Sequence, residues 1–272
     1  MKEGTSTLSV LVLGFISSVL LIFLSCNKSS TGAYSGNSRL EVRLTDDPAN
    51  YDAVYIDIQK VEVNVSSDTG TSIGWQTVNI LRPGVYNLLH FRNGIDTLLA
   101  SADLPAGSLS QIRLILGDHN SVVINGQSYA LTTPSAQQSG LKLNIHSILT
   151  AGIVYRLWID FDASRSIVTA GNSGKHLLKP VIRTYSEAIG GSIKGFVLPT
   201  AAKPLVWAAQ GSDTLLALPD SLTGYYFFGG VNAGSWNLLI QARDSTYKDS
   251  VFSVIVNTGA VTNAGSVMLS KK

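Results

Sequence analysis

From residue 39 onward the hydrophobic positions recur with a period of two. Leu40, Val42 and Leu44 alternate with Arg39, Glu41 and Arg43, and Val54, Ile56 and Ile58 with Tyr55 and Asp57. Val61, Val63 and Val65 alternate with Lys60, Glu62 and Asn64 after a phase slip at Gln59-Lys60, which predicts a β-bulge. The same period runs through Ile112, Leu114 and Leu116, through Leu141, Leu143 and Ile145, and through Tyr155, Leu157, Ile159 and Phe161. Successive side chains of a strand point to opposite faces, so strict alternation predicts strands with one buried and one wet face. That pattern favours antiparallel sheets over parallel βαβ units. Asn125-Gly126, between 122–124 and 127–129, predicts a hairpin, because both turn residues tolerate positive φ. Many short strands at close spacing predict a sandwich or a barrel, and the chain is read as all-β, with two β-sandwich domains. Helix is expected only at residues 163–168, with Asp162 as N-cap, and more weakly at 98–102.

A boundary is expected near residues 187–191, where Gly190-Gly191 follow an apolar run at 177–182 and a new alternating series begins. Residues 38–187 are long enough to hold a core of their own. Residues 190–272 must build theirs from 225–228 and from Trp236, Leu238, Ile240 and Ala242.

The first 37 residues follow a different pattern. Lys2 precedes an apolar run over residues 8–24, the arrangement of a secretory signal. The run ends Leu24-Ser25-Cys26-Asn27, which resembles the bacterial lipobox. That resemblance implies cleavage between Ser25 and Cys26, acylation of the Cys26 thiol, and a signal peptide over 1–25. Phe23 stands where Leu is commoner. An uncleaved anchor helix is the competing reading, since the run also reaches the lower length of a membrane span. Against it, Cys26 is the single cysteine of the chain and no cluster of positive charge follows. Residues 26–37 are small and polar and read as a flexible tether. They carry no acidic cluster of the kind that sends some lipoproteins to the cell surface, which favours the periplasmic face of the outer membrane.

Two further resemblances cover the body. Residues 38–185 resemble the bacterial lipoprotein family called domain of unknown function 4382. The residues that carry this are Thr45-Asp46-Asp47-Pro48-Ala49, Leu104-Pro105-Ala106-Gly107, Gln111-Ile112-Arg113-Leu114, Asp160-Phe161-Asp162-Ala163-Ser164-Arg165 and Leu178-Lys179-Pro180-Val181-Ile182-Arg183. The family implies no activity. Residues 190–272 resemble the transthyretin-like regulatory domain first seen beside carboxypeptidases, through Gly224, Tyr226, Phe228, Val231, Gly234, Trp236, Leu238 and Ile240. That resemblance implies a non-catalytic sandwich. Thr223 stands where an acidic residue is usual.

Composition narrows the chemistry. Among 272 residues, 20 Lys and Arg face 18 Asp and Glu, so nothing favours nucleic acid, which needs clustered cations. One cysteine excludes a disulfide framework and a thiolate zinc site. No nucleophile elbow, zincin, phosphate-loop or EF-hand motif occurs, and no cofactor is expected. His90, His119, His146 and His176 are far apart in sequence. Asp46, Asp47 and Asp52 crowd one expected loop, and Asp160 and Asp162 share a strand face. These oxygens suit Ca2+, or serve as turns and caps, with Asp160 paired to Arg156, Arg165 or Lys179. The cap reading is preferred, and no metal site is assigned. Trp158, on a polar strand face, is the one aromatic expected to be exposed; Trp236 falls in core register.

These features point to a lipid-anchored, non-catalytic binding or structural module of the cell envelope. Its partners would be the membrane, through the N-terminal lipid, and a carbohydrate or another envelope protein. A carbohydrate-active hydrolase or carbohydrate-binding protein, and an adhesin or fibre subunit, are the alternatives.

Overall fold

The computed structural model describes residues 36–47, 49–66, 73–133, 140–171, 174–187 and 190–272. The signal peptide, the Ser25–Cys26 cleavage site and the tether up to residue 35 lie outside the described residues. At the tether's far end, Asn37 already belongs to the first strand.

Among the described residues, thirteen strands make the first half: β1 (Asn37–Asp47), β2 (Ala53–Asn64), β3 (Trp75–Ile80), β4 (Gly84–Asn87), β5 (Thr97–Pro105), β6 (Gly107–Leu116), β7 (Ser121–Ile124), β8 (Gln127–Thr132), β9 (Leu141–Leu149), β10 (Val154–Asp162), β11 (Ile167–Ala170), β12 (Lys175–Leu178) and β13 (Ile182–Ser186). They form one hydrogen-bonded path in the order β11-β12-β8-β7-β2-β3-β5-β1-β10-β13, with β4 and β6 also on β2 and β9 on β6. β3 pairs with both β2 and β5, and so joins the two arms of the path. The inward residues of both arms, among them Leu40, Val42, Leu44, Ile56, Val61, Ile112, Leu114, Leu157, Ile159 and Phe161, meet in a single core.

The second half has β14 (Gly191–Leu198), β15 (Leu205–Gln210), β16 (Asp213–Ala217), β17 (Tyr225–Val231), β18 (Gly234–Gln241), β19 (Ser250–Val256) and β20 (Val261–Met268). A three-stranded sheet, β17-β14-β20, and a four-stranded sheet, β16-β15-β18-β19, enclose a second core. Trp236 sits in it at 1% exposure, and its Nε1 donates to the Asn232 carbonyl at 2.8 Å. A buried indole needs such a partner for its N–H. The chain is therefore all-β with several sheets, and its two cores are distinct clusters within one unit spanning Gly36–Lys272.

Several local expectations hold. The pairing of β2 with β6 shifts register between Ile58 and Lys60, at the expected bulge. β7 and β8 form the hairpin, with Asn125 at φ 51° and Gly126 at φ 76°. One helical turn, α1 (Ala163–Ser166), is capped by Asp162, whose Oδ1 accepts from Arg165 N at 2.8 Å. It stops at Ser166 because β11 begins at once.

Three expectations fail. Residues 98–102 are strand, not helix: they lie inside β5, held between β1 and β3, and pairing on both edges overrides a local helical preference. Pairing is not uniformly antiparallel either, since β1–β10, β8–β12 and β14–β20 are parallel. Parallel neighbours need a long crossover, and the many residues between β1 and β10 supply it. Lastly, Asp46, Asp47 and Asp52 do not share a loop. β1 runs through Asp47, because its pairing with β10 extends to Asp47 opposite Asp162, whereas Asp52 accepts from Gly126 N at 2.7 Å at the hairpin tip.

Candidate functional site

The outward residues of β1, β10 and β13 form cross-strand rows. Arg43 lies opposite Trp158 and Trp158 opposite Tyr185; Thr45 lies opposite Asp160 and Asp160 opposite Arg183. This is the face expected to be wet, yet much of it is covered by the second half of the chain. Asp160 is only 4% exposed. Arg183 makes the central bridge. One of its nitrogens contacts Asp160 Oδ2 at 2.5 Å, another donates to the Gly230 carbonyl at 3.2 Å, and the guanidinium lies over the Tyr185 ring at 5.2 Å. Asp160 thus pairs with Arg183, and not with Arg156, Arg165 or Lys179; the cross-strand position opposite it on β13 is occupied by Arg183.

Tyr185 meets β17 at Gly229 and Gly230. Gly230 has φ +60°, and a Cβ on it would overlap the Tyr185 ring, so only glycine fits there. A second contact lies beside it: Asn93 Nδ2 donates to the Leu218 carbonyl at 3.3 Å, and a Cβ on Gly94 would come within 2.9 Å of Phe227.

A cleft of about 470 Å3 opens at this seam, lined among others by Asp96, Trp158, Tyr185, Glu187 and Phe227. Trp158 is half-buried rather than exposed. Its ring stacks on Tyr185 with centroids 5.5 Å apart and planes 3° from parallel, and its Nε1 donates to Asp96 Oδ2 at 2.8 Å. The other Asp96 oxygen accepts from Arg43 Nε at 2.8 Å. Glu187 accepts from Arg156 at 3.2 Å, and Arg156 also reaches Glu41. Both carboxylates that line the cleft are therefore committed. Asp46 and Asp162 occupy the end of the β1–β10 pair. Asp46 is 4% exposed; its Oδ1 accepts from Ala163 N at 3.2 Å and its Oδ2 has no hydrogen-bond partner. Asp162 caps α1 and pairs with Arg165 Nε at 2.5 Å.

Crowding of carboxyls here pushes their proton affinities up. Burial, reinforced by Asp160, holds Asp46 well above the usual carboxylate range, although the Ala163 N–H pulls it back. Burial and Asp160 also raise Asp47, to about 8, against the pull of Arg183. Burial raises Asp160 too, with Arg183 opposing. Burial works against the Arg183 charge, but Asp160 and Asp47 outweigh it and hold the guanidinium firmly protonated.

Among the described residues no group of three or more His, Cys, Asp or Glu could hold a metal ion. The four histidines stay apart: His119 contacts Asp57 at 3.1 Å, His90 contacts Asn87, His176 packs edge-on against Tyr129, and His146 adopts φ 51° near a register shift between β6 and β9. Arg183, Tyr185, Asp96 and the Gly229-Gly230 pair were not foreseen as a site. The one signal for them is the glycine pair inside a strand pattern, which marks a bulge or a close approach of another chain segment. Among the described residues no helix is long and apolar enough to cross a membrane.

No curated protein matches the chain. Among solved structures it is similar to the Bacillus anthracis TIE protein, at 11% identity over 87% of this chain and 34% of that one, with a TM-score of 0.26. It is also similar to a streptococcal ancillary pilin, at 12% identity over 88% and 63% of the two chains and a TM-score of 0.22. A third is the minor pilin GBS52 of Streptococcus agalactiae, at 9% identity over 86% and 96% with a TM-score of 0.24. The chain thus spans about a third of the TIE protein and under two thirds of the ancillary pilin. TM-scores this low transfer no function. A family model, by contrast, matches residues 37–180, more than half of the chain. The protein belongs to the family described as domain of unknown function (DUF4382).

Proposed function

We propose that the protein is a lipid-anchored, non-catalytic binding or structural module of the bacterial cell envelope, held through Cys26 at the periplasmic face of the outer membrane. The observation that carries the non-catalytic part is the state of the cleft carboxylates. A glycosidase needs two carboxyl groups that face each other across the scissile bond, ~5–10 Å apart. Asp96 is instead tied to Arg43 and Trp158, and Glu187 to Arg156. The anchor rests on the lone Cys26 at the end of the apolar run. Each buried methylene of an acyl chain contributes ~0.8 kcal/mol, so two or three chains hold where one does not.

The test uses the native host. Mass spectrometry of the mature protein is expected to find an acylated Cys26 at the N-terminus, and Cys26→Ala to lose the acyl label. Retention of Met1 with an unmodified Cys26 would overturn the anchor. Incubation with peptidoglycan and envelope polysaccharides is expected to release no new reducing ends. Release that disappears in Asp96→Asn would overturn the non-catalytic reading.

A further inference from the structure

The chain enters the first half at Gly36, and two turns close round that point. The Gly36 carbonyl accepts from Ala106 N at 2.9 Å, in the turn between β5 and β6. The Asn37 carbonyl accepts from Gly152 N at 2.8 Å. Ser38 Oγ and Arg39 N both donate to the Ile153 carbonyl, at 2.8 and 3.3 Å. The β9–β10 connection therefore lies beside the entry, and Ile148, near the end of β9, stands opposite Ser108 of β6.

This end of the first half is uncharged. Residues 36–38, 104–112 and 143–155 hold no Asp, Glu, Lys or Arg, and residues 29–35 of the sequence add none. Three large apolar side chains are exposed here: Ile148 at 56%, Ile153 at 57% and Val154 at 42%. Charge begins beside Val154, where Arg39 lies opposite it and pairs with Asp103 at 3.5 Å. The other end of the β1–β10 pair is the reverse, with Asp46, Asp47, Asp160 and Asp162. Single apolar residues on a surface are ordinary, but several at one charge-free end with a charged rim mark an interaction site.

The length of chain leading to this end says what it meets. Cys26 stands ten residues before Gly36, a reach of at most ~36 Å. We infer that the end is a membrane-contacting tip. Ile153 and Ile148 enter the lipid surface that holds the Cys26 acyl chains, and the Arg39–Asp103 pair stays at the level of the headgroups. This rests on the lipid anchor proposed above. Apolar protein surfaces of this kind settle ~5–10 Å into the boundary between headgroups and acyl chains, which is the depth of one layer of side chains. Two side chains would not hold a free protein there, but an anchor that keeps them within reach raises their effective concentration at the bilayer. Lipid demands no matching groove or main-chain partner, and this end offers neither. The acidic end of β1, roughly 26 Å further along the strand, then points away from the bilayer.

Depth-dependent quenching on the full chain tests the tip. Protein purified from native membranes is reconstituted into vesicles of phosphatidylethanolamine and phosphatidylglycerol, with and without lipid spin-labelled high on the acyl chain. Ile153→Cys, Ile148→Cys and Ile95→Cys chains carry a nitrobenzoxadiazole maleimide. Ile95 is 59% exposed and held by Thr45 toward the far end of β1, so it serves as the dry-side control. The spin label is expected to lower emission at least twofold at positions 153 and 148 and to leave position 95 unchanged. Ile153→Asp, added to the Ile148→Cys chain, should at least halve the quenching there without moving the melting temperature, because the site is exposed. An acylated Cys26 has no free thiol, so the wild-type chain should take no label. Label on wild type would overturn the anchor, and the tip with it. An unlabelled wild type whose position 153 is quenched no more than position 95, or quenching at 148 that ignores Ile153→Asp, would overturn the tip alone.

Discussion

Asp46 is the residue whose chemistry departs furthest from a simple cap. It ends the inward series Leu40, Val42, Leu44, so the period of β1 drives a carboxylate into the core's rim. One oxygen is used on the Ala163 N–H and the other has no partner, with Asp47, Asp160 and Asp162 nearby. A carboxyl in such a place prefers its neutral form. Asp46, Asp47 and Asp160 are all raised, Asp47 to about 8, so the folded chain keeps protons that the unfolded chain has lost above about pH 4. Where the native state binds more protons, stability falls as pH rises. The cluster's contribution is thus full below about pH 4 and is lost progressively toward about pH 8. Asp46→Asn keeps an acceptor for Ala163 and cannot ionise. It is expected to stabilise the protein clearly at pH 8 and to change its stability little at pH 4. Urea unfolding across that range checks this, and an equal loss of stability at both ends would show that the carboxyl is needed for its shape. Residue types alone could suggest that these aspartates matter, but not that Arg183 sits opposite Asp160, because that depends on which strands are neighbours.

At the scale of elements, the two-residue period was a reliable guide to which face of a strand is buried in the core. It located the core residues of β1, β2, β6, β10 and β18 and the bulge at Gln59-Lys60, while the Asn125-Gly126 pair located the hairpin turn. It was silent on who pairs with whom. The parallel β1–β10 pair is a tertiary fact, and so is the burial of the polar face outside it. Residues 98–102 failed for the same reason, since two strand neighbours decide their state. The glycine pair of β17 follows this logic. Gly230→Ala must strain a φ of +60° and overlap Tyr185, which together are expected to cost about 2–4 kcal/mol. In a Tyr185→Ala background the overlap is gone, and the same substitution should cost about 1 kcal/mol. A thermodynamic cycle from thermal melts measures the difference. Additivity of the two changes would mean that the ring does not pack on this turn in solution.

For the whole molecule, two separate apolar cores lie on either side of a seam that mixes charged groups with aromatic rings and glycines. Asp160 and Arg183 belong to the face under the second half, and the contacts across it among the described residues include Arg183 to Gly230, Asn93 to Leu218, and the packing of Tyr185 and Phe227 against glycines. Separation near Gly190 would uncover Asp160 and Arg183 together with the Tyr185 and Phe227 rings. It would also return water to Asp160 and Arg183, relieving part of their desolvation. We therefore expect residues 38–187 and 190–272, made as separate chains, each to stay soluble and to melt in one cooperative step. The smaller piece should melt lower, because a short chain buries a smaller share of its surface. Calorimetry of the two pieces and of the intact protein provides the measurement. Precipitation of 38–187 in the absence of 190–272 would mean that the polar rows are not self-sufficient and that the seam is part of one shared fold.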